Sequence, residues 1–194
     1  MIIAIGWLSS MNDLLKVIAT NTDVLLLEPK VFSDARGFFL ESYNQKLFAE
    51  VTGIKSPFVQ DNHSRSAKRV LRGLHYQTQK PQGKLVRVIT GAVYDVAVDM
   101  RRSSPTFGHW TGLHLVAEKE QLVWIPPGFA HGFVVLSDTA DFLYKTTDYY
   151  NPETEQCLKW NDPVVGIRWP FDFEPIMSFK DAHGKPFNTL PYYQ

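Results

Sequence analysis

At 194 residues, with 20 basic and 20 acidic side chains that cancel to a formal net charge of zero, the chain has the length of one domain and lacks the basic excess of a nucleic-acid binder. Hydrophobic residues make up 44% and aromatic residues 13%, which supports a packed core and excludes a disordered chain. The single cysteine, Cys157, excludes an internal disulfide and a cysteine-cluster zinc site. No apolar run approaches the ~20 residues of a membrane helix, and no basic region precedes the short apolar start, so a cytoplasmic protein without membrane or nucleic-acid partners is expected.

Residues 1–23 read as an N-terminal extension, of which 1–10 are expected to be dispensable because a well-behaved, charged start follows Met11. Residues 24–194 read as a single domain with a C-terminal tail, since Gly and Pro are scattered as turns and no repeat or low-complexity tract divides them. Val24 to Leu27 and Gly37 to Tyr43 read as extended. Asn44 to Gly53 predicts the one clear helix: Asn44 can cap it, Leu47, Phe48 and Val51 share a face, and Gly53 is a natural stop. Val70 to Gln77 again reads extended, and Leu85 to Met100 alternates β-formers around Thr90-Gly91, predicting a hairpin there. Thr111 to Val116, Gln121 to Ile125, Gly132 to Leu136 and Asp141 to Thr147 follow as strands, separated by turns such as Pro126-Pro127-Gly128 and Ser137-Asp138. Many short strands with few helices predict a mainly β fold, a sandwich or barrel of jelly-roll type.

The phosphate-loop, dinucleotide and nucleophile-elbow patterns GxxxxGK[ST], GxGxxG and GxSxG are absent, which removes the usual supports for phosphoryl transfer, nicotinamide chemistry and serine hydrolysis. VLRGLHYQ (Val70 to Gln77) and QGKLVR (Gln82 to Arg87) instead concentrate Arg72, His75 and Lys84. Pro126 to His131 has the PxGxxH spacing with which a cupin delivers a histidine to its barrel mouth. A cupin metal centre needs two histidines one residue apart and a nearby carboxylate. Here Gln77 stands in for the second histidine and Lys84 places a cation where the carboxylate would help, a poor ligand set for a divalent ion.

Metal-free proton chemistry suits these residues better. A histidine oriented by a carboxylate can act as base, a protonated lysine can stabilise an enolate, and a tyrosine can act as acid from the opposite face. Tyr144 shares a strand face with Phe142 and Thr146. By spacing alone, packing is the commoner fate of such a tyrosine and a structural hydrogen bond that of a strand histidine. Arg72 and His75, three apart, face opposite sides of a regular strand unless Gly73 introduces a bulge.

Six ordered blocks, VLRGLHYQ, QGKLVR, DVAVDMRRSSPTFG, WIPPGFAHGF, FLYKTTDYY and NDPVVGIRWP, resemble the dTDP-4-dehydrorhamnose 3,5-epimerase family, and the resemblance runs from about Val24 to beyond Asp181. It implies a cupin-like jelly roll, a homodimer, a dTDP-4-keto-6-deoxysugar substrate and cofactor-independent, metal-free epimerisation. Carried onto matching positions, it implies His75 as the base, Asp181 as its carboxylate partner, Tyr144 as the acid and Lys84 as the group beside the keto oxygen. It further implies Arg36, Glu41, Gln60, Asn62, Arg72, His131, Glu155 and Lys180 as sugar-nucleotide contacts, and Tyr150 as an aromatic stacked on thymine. Outside the family pattern, Arg36, Glu155 and Lys180 read as ordinary surface charges. His63, His109, His114 and His183 receive no role, and Cys157 reads as packed. The QTQKPQG connection is a place of variable length, and the tail after Gly184 reads as a dimer contact or as a cover of the barrel end. The rival readings are an epimerase acting at C3 or C5 alone, a non-catalytic sugar-nucleotide-binding cupin, and a metal-dependent cupin oxygenase or isomerase.

Overall fold

The computed structural model describes residues 13–194. The expectation for residues 1–10 lies outside the described residues. Two antiparallel sheets pack face to face as a jelly roll. The first runs in the order β1 (Leu15–Ala19), β2 (Leu25–Pro29), β10 (Leu122–Ile125), β7 (Lys84–Thr90), β12 (Thr139–Thr146) and β5 (Gln60–Ala67). The second runs β13 (Glu155–Cys157), β6 (Leu71–Gln77), β11 (Phe129–Val135), β8 (Ala92–Asp99) and β9 (Trp110–Val116). A separate hairpin pairs β3 (Val31–Asp34) with β4 (Gly37–Leu40). Among the described residues, no helix is long and apolar enough to cross a membrane.

Strand alternation decides what each residue faces. Val86 and Val88 of β7, Val93 and Ala97 of β8, Phe129 and Phe133 of β11 and Phe142 of β12 meet between the sheets as one buried cluster. Phe133 and Phe142 stack with ring centroids 4.1 Å apart, and the complete burial of a side chain such as Phe142 contributes about 1.5–3 kcal/mol. The alternate residues of β8, Tyr94, Val96 and Val98, point the other way, into a second cluster with Leu158, Val165, Phe187 and Leu190 of the C-terminal segment. The tail therefore covers the outer face of the second sheet. Tyr193 fixes it by exchanging backbone hydrogen bonds with Met100 and Arg102.

Helix α1 (Gln45–Thr52) forms where predicted: Asn44 Oδ1 accepts the Leu47 N–H at 3.1 Å, and Gly53 closes the helix at φ +76°. It lays Leu47 and Phe48 against Trp124 on the outer face of the first sheet. Thr90-Gly91, in contrast, is not a hairpin. β7 pairs with β10 and β12, β8 pairs with β11 and β9, and Gly91, at φ +75°, carries the chain from one sheet to the other. β8 is buried on both faces, so its sequence shows apolar character without showing its partner. Leu15–Ala19, placed by sequence in the extension, pairs with β2 over its whole length. β5, QDNHSRSA, escaped prediction because it contains no run of β-formers; its partner β12 determines its conformation through eight paired residues.

On the outer side of β12, buried Asp141 accepts two hydrogen bonds from Arg65 Nε and one from Nη2, and lies 2.8 Å from His63 Nε2. These partners, Arg65 above all, hold its carboxyl at about 2 despite the opposing effect of burial. A carboxyl depressed in the folded state adds stability above its unfolded value of about 4, and that stability disappears as pH falls through 2. Asp141→Asn is therefore expected to flatten the loss of stability between about pH 4 and pH 2. Urea midpoints measured across that range test this, and an unaltered slope would contradict it.

Candidate active site

The open end between the sheets is a cavity of about 280 Å³. Its walls follow from the alternation above. Lys84 and Tyr144 project into it from β7 and β12 of the first sheet, and Arg72, His75, His131 and Glu155 from β6, β11 and β13 of the second. Ser178, Lys180 and Asp181, at and just before the short helix α2 (Phe179–Ala182), close the same side.

Arg72 and His75 reach the cavity together because the strand slips by one residue between them. His131 pairs with His75 but Phe133 pairs with Arg72, so three steps on β6 oppose two on β11. Gly73 permits this. It sits at φ +117°, and a Cβ there would lie 2.6 Å from Gly132 Cα and 2.7 Å from the His131 carbonyl oxygen. Gly73→Ala is expected to cost at least about 2 kcal/mol, from positive-φ strain together with displacement of the β11 backbone, and to reduce activity. A urea midpoint and a turnover rate both equal to those of the unsubstituted protein would contradict this.

His75 Nε2 lies 2.6 Å from Asp181 Oδ1. Asp181 is buried, which by itself raises its pKa, yet its hydrogen bonds with His75, Ser178 and the Gly73 N–H hold it below the ordinary carboxylate value. With the Nε2 proton directed at this ionised oxygen, the ring's lone pair is on Nδ1. Glu155 Oε1 stands 3.8 Å from Nδ1, so an imidazolium formed here meets negative charge on both sides. Glu155 in turn accepts a hydrogen bond from Tyr150 Oη at 2.8 Å and pairs closely with Lys180.

Lys84 is buried, its Nζ donating to the His75 carbonyl at 3.4 Å. Loss of solvation pulls its pKa down to about 8, against the opposing pull of Glu155 and Asp95. Tyr144 moves the other way. Burial, reinforced by Glu155 and opposed by Arg72, raises its pKa, so the phenol keeps its proton at neutral pH. Tyr150 lies at the rim, 51% exposed, with its pKa pushed up to about 12 by burial and by its hydrogen bond to Glu155.

Nine of the thirteen residues expected from sequence line this cavity: Arg72, His75, Lys84, His131, Tyr144, Tyr150, Glu155, Lys180 and Asp181. Gln60 and Asn62 stand beside it on β5, bonded to each other at 2.9 Å, and Gln60 Oε1 accepts the Tyr150 N–H. Arg36 and Glu41 do not line it. Arg36 occupies the exposed turn of the β3–β4 hairpin, where Asp34 holds its guanidinium, and Glu41 accepts a hydrogen bond from the helix-capping Asn44. Gln77, which stands where a cupin metal centre needs a histidine, donates to the carbonyls of Lys80 and Tyr149 and accepts the Asn151 N–H, holding two loops at the cavity rim. Sequence reasoning missed Asp95. It is buried, and its Oδ2 lies 2.8 Å from His131 Nε2, forming a second histidine–carboxylate pair on the inner face. The signal was present as a lone acid in the apolar run VYDVAV.

The family model described as dTDP-4-dehydrorhamnose 3,5-epimerase matches residues 20–189. The chain is 62% identical over 165 residues to the dTDP-4-dehydrorhamnose 3,5-epimerase of Pseudomonas aeruginosa, covering 85% of this chain and 91% of that one. It superimposes with a TM-score of 0.89, at 52% identity, on the dTDP-6-deoxy-D-glucose-3,5-epimerase of Legionella pneumophila, solved in complex with dTDP-4-keto-L-rhamnose. That match covers 93% of this chain and 99% of that one. Similarity to a dTDP-4-dehydrorhamnose 3-epimerase of Streptomyces niveus is lower, 36% over 174 residues, covering 86% of this chain and 84% of that one.

Proposed function

We propose, for a chain that belongs to the dTDP-4-dehydrorhamnose 3,5-epimerase family, that the cavity converts dTDP-4-dehydro-6-deoxy-D-glucose to dTDP-4-dehydro-L-rhamnose. The observation that supports this most strongly is the placement of His75 and Tyr144 on opposite sheets, facing one cavity. A C4 carbonyl acidifies the hydrogens at both C3 and C5. His75 Nδ1 takes the proton from one face, the electron pair moves into the C4 oxygen, and Tyr144 returns a proton to the same carbon from the other face, inverting it. Protonated Lys84 stabilises the C4 oxyanion, and Asp181 holds the imidazolium. Each inversion leaves an extra proton on His75 and one missing from Tyr144, and exchange with solvent resets both before the second carbon reacts. The balance is redox-neutral, so the reaction calls for no electron carrier.

Arg72, His131, Glu155 and Lys180 are the proposed sugar-nucleotide contacts inside the cavity, and Arg72 and Lys180 supply the cationic donors that a diphosphate without a glycine-rich cradle requires. Tyr150, with its ring exposed at the rim, offers a flat face to thymine. Gln60 and Asn62 are proposed to bind from β5. The double epimerase is favoured over a C3-only enzyme by the 62% against 36% identity of the respective relatives. We place the enzyme in the cytoplasm, which suits its one free, buried cysteine.

We further read the protein as a homodimer. Arg36 and Glu41 lie away from their own cavity, on or beside a hairpin whose Phe38 and Phe39 are 61% and 69% exposed, and a second copy covering that hairpin would receive both residues. Light scattering is expected to give twice the chain mass, and Phe38→Asp with Phe39→Asp to halve it. An unsubstituted protein that stays monomeric would overturn this assembly. The function itself is tested by incubating the protein with dTDP-4-dehydro-6-deoxy-D-glucose and trapping the product with a stereospecific 4-keto reductase. The dTDP-L-rhamnose configuration is expected, and a product inverted at one carbon would assign a single-site enzyme.

A further inference from the structure

We propose that His75 Nε2 and the Asp181 carboxylate, which line this cavity, together with the buried Cys157 sulfur beside them, also form an inhibitory site for a thiophilic divalent cation. Cys157 of β13 stands directly across from His75 of β6 in the sheet register. Among the described residues, these three form the one group of histidine, cysteine and carboxylate ligands whose donor atoms all lie within 4.8 Å of one another. One nitrogen, one sulfur and one oxygen from three different side chains form a donor set suited to zinc or cadmium, with a fourth, open position toward the cavity where water completes a tetrahedron.

Tetrahedral zinc, with bonds of ~2.0–2.3 Å, needs its ligand atoms roughly 3.3–3.7 Å apart. The 2.6 Å contact between His75 and Asp181 must open, and the sulfur, which lies within 4.8 Å of both partner atoms, must settle at that tetrahedral spacing, within the reach of a side-chain rotation. The hydrogen bonds that the sulfur would give up are long ones, to the carbonyl oxygens of Gly73 and Leu158 at 3.7 and 3.9 Å. On binding, the Cys157 thiol releases its proton to water, His75 transfers its proton from Nε2 to Nδ1, and the ionised Asp181 exchanges the imidazole N–H for the cation. The charge balance fits an inhibitor rather than a resident ion: Lys180 and Lys84 line the same cavity and oppose a third cation.

Inhibition follows because the occupied site removes the Nδ1 lone pair and separates His75 from Asp181; this step rests on the assignment of His75 as the base. Two readouts keep the claims separable. Titration of untagged protein with Cd²⁺ is expected to produce a thiolate-to-cadmium charge-transfer absorbance, read without turnover and absent from both Cys157→Ser and Cys157→Ala. Zn²⁺ is expected to inhibit the unsubstituted enzyme reversibly, with EDTA restoring turnover. Either variant should turn over normally without metal and need at least about tenfold more Zn²⁺ for the same inhibition. Equal Zn²⁺ sensitivity in the variants, or no charge-transfer band at saturating Cd²⁺, would overturn the site. A full band with turnover undiminished at the same Cd²⁺ concentration would overturn its inhibitory role, whereas the assignment of His75 as the base stands or falls on His75→Ala.

Discussion

His75→Ala is expected to lower turnover by about 10²–10⁴-fold, the usual contribution of a positioned general base, and to stop deuterium exchange from solvent at both C3 and C5. Binding of dTDP should survive, because the cationic groups that line the cavity, Arg72 and Lys180, remain. Tyr144→Phe separates the two roles. With the acid gone and the base in place, a proton removed by His75 has only the same face to return from, so deuterium enters while the configuration is retained. Asp181→Asn keeps the ring in place through a neutral hydrogen bond but withdraws the charge that stabilises the imidazolium, and it should fall between the parent and His75→Ala. Isotope exchange followed by NMR across the three variants tests the assignment. Full turnover in His75→Ala would refute it, as would an inverted product from Tyr144→Phe.

Lys84 carries the second large effect. Replacement by Met preserves most of the buried volume and removes the cation, so kcat is expected to fall by about 10²–10³-fold, as when an oxyanion donor is deleted. The parent enzyme should report the same group in its pH profile. Burial depresses Lys84 to about 8, with Glu155 and Asp95 opposing, and the proposed mechanism needs the protonated amine. The protonated fraction falls as pH rises through that value, so activity should decline on the alkaline side of about pH 8. Asp95→Asn removes one of the anions that hold the proton and should move this limb to lower pH. A limb unchanged in Asp95→Asn, or retained intact in Lys84→Met, would assign the titration to another group.

What could be read from the sequence divides along physical lines. Helix α1 was legible because its signals are local: a capping Asn44, a terminal Gly53 and an apolar face between them. The strand character of Lys84–Thr90 and Ala92–Asp99 was equally local, but their placement in different sheets was not, since partner choice is a long-range property and β8 is apolar on both faces. The polar strand β5 left no local trace at all. At the site, His75, Lys84 and Tyr144 were first visible as chemically able residues, while the pairing of His75 with Asp181 spans 106 positions and came from family resemblance alone. Gly73 offered the one local clue that Arg72 and His75 share a face, and the bulge realises it. Arg36 and Glu41 were assigned by resemblance to a site their own chain does not bring them to. Asp95 was overlooked because a single acid in an apolar strand has no meaning until its neighbour across the sheet, here the strand bearing His131, is known.

The most direct test is to incubate the unsubstituted enzyme with dTDP-4-dehydro-6-deoxy-D-glucose in D₂O and to locate deuterium in the product by NMR. Proton removal at one wall and return from the other predicts deuterium at both C3 and C5 with both centres inverted. Converted product without deuterium at either carbon would contradict solvent-exchanging proton transfer, and deuterium at one carbon alone would contradict the double epimerisation.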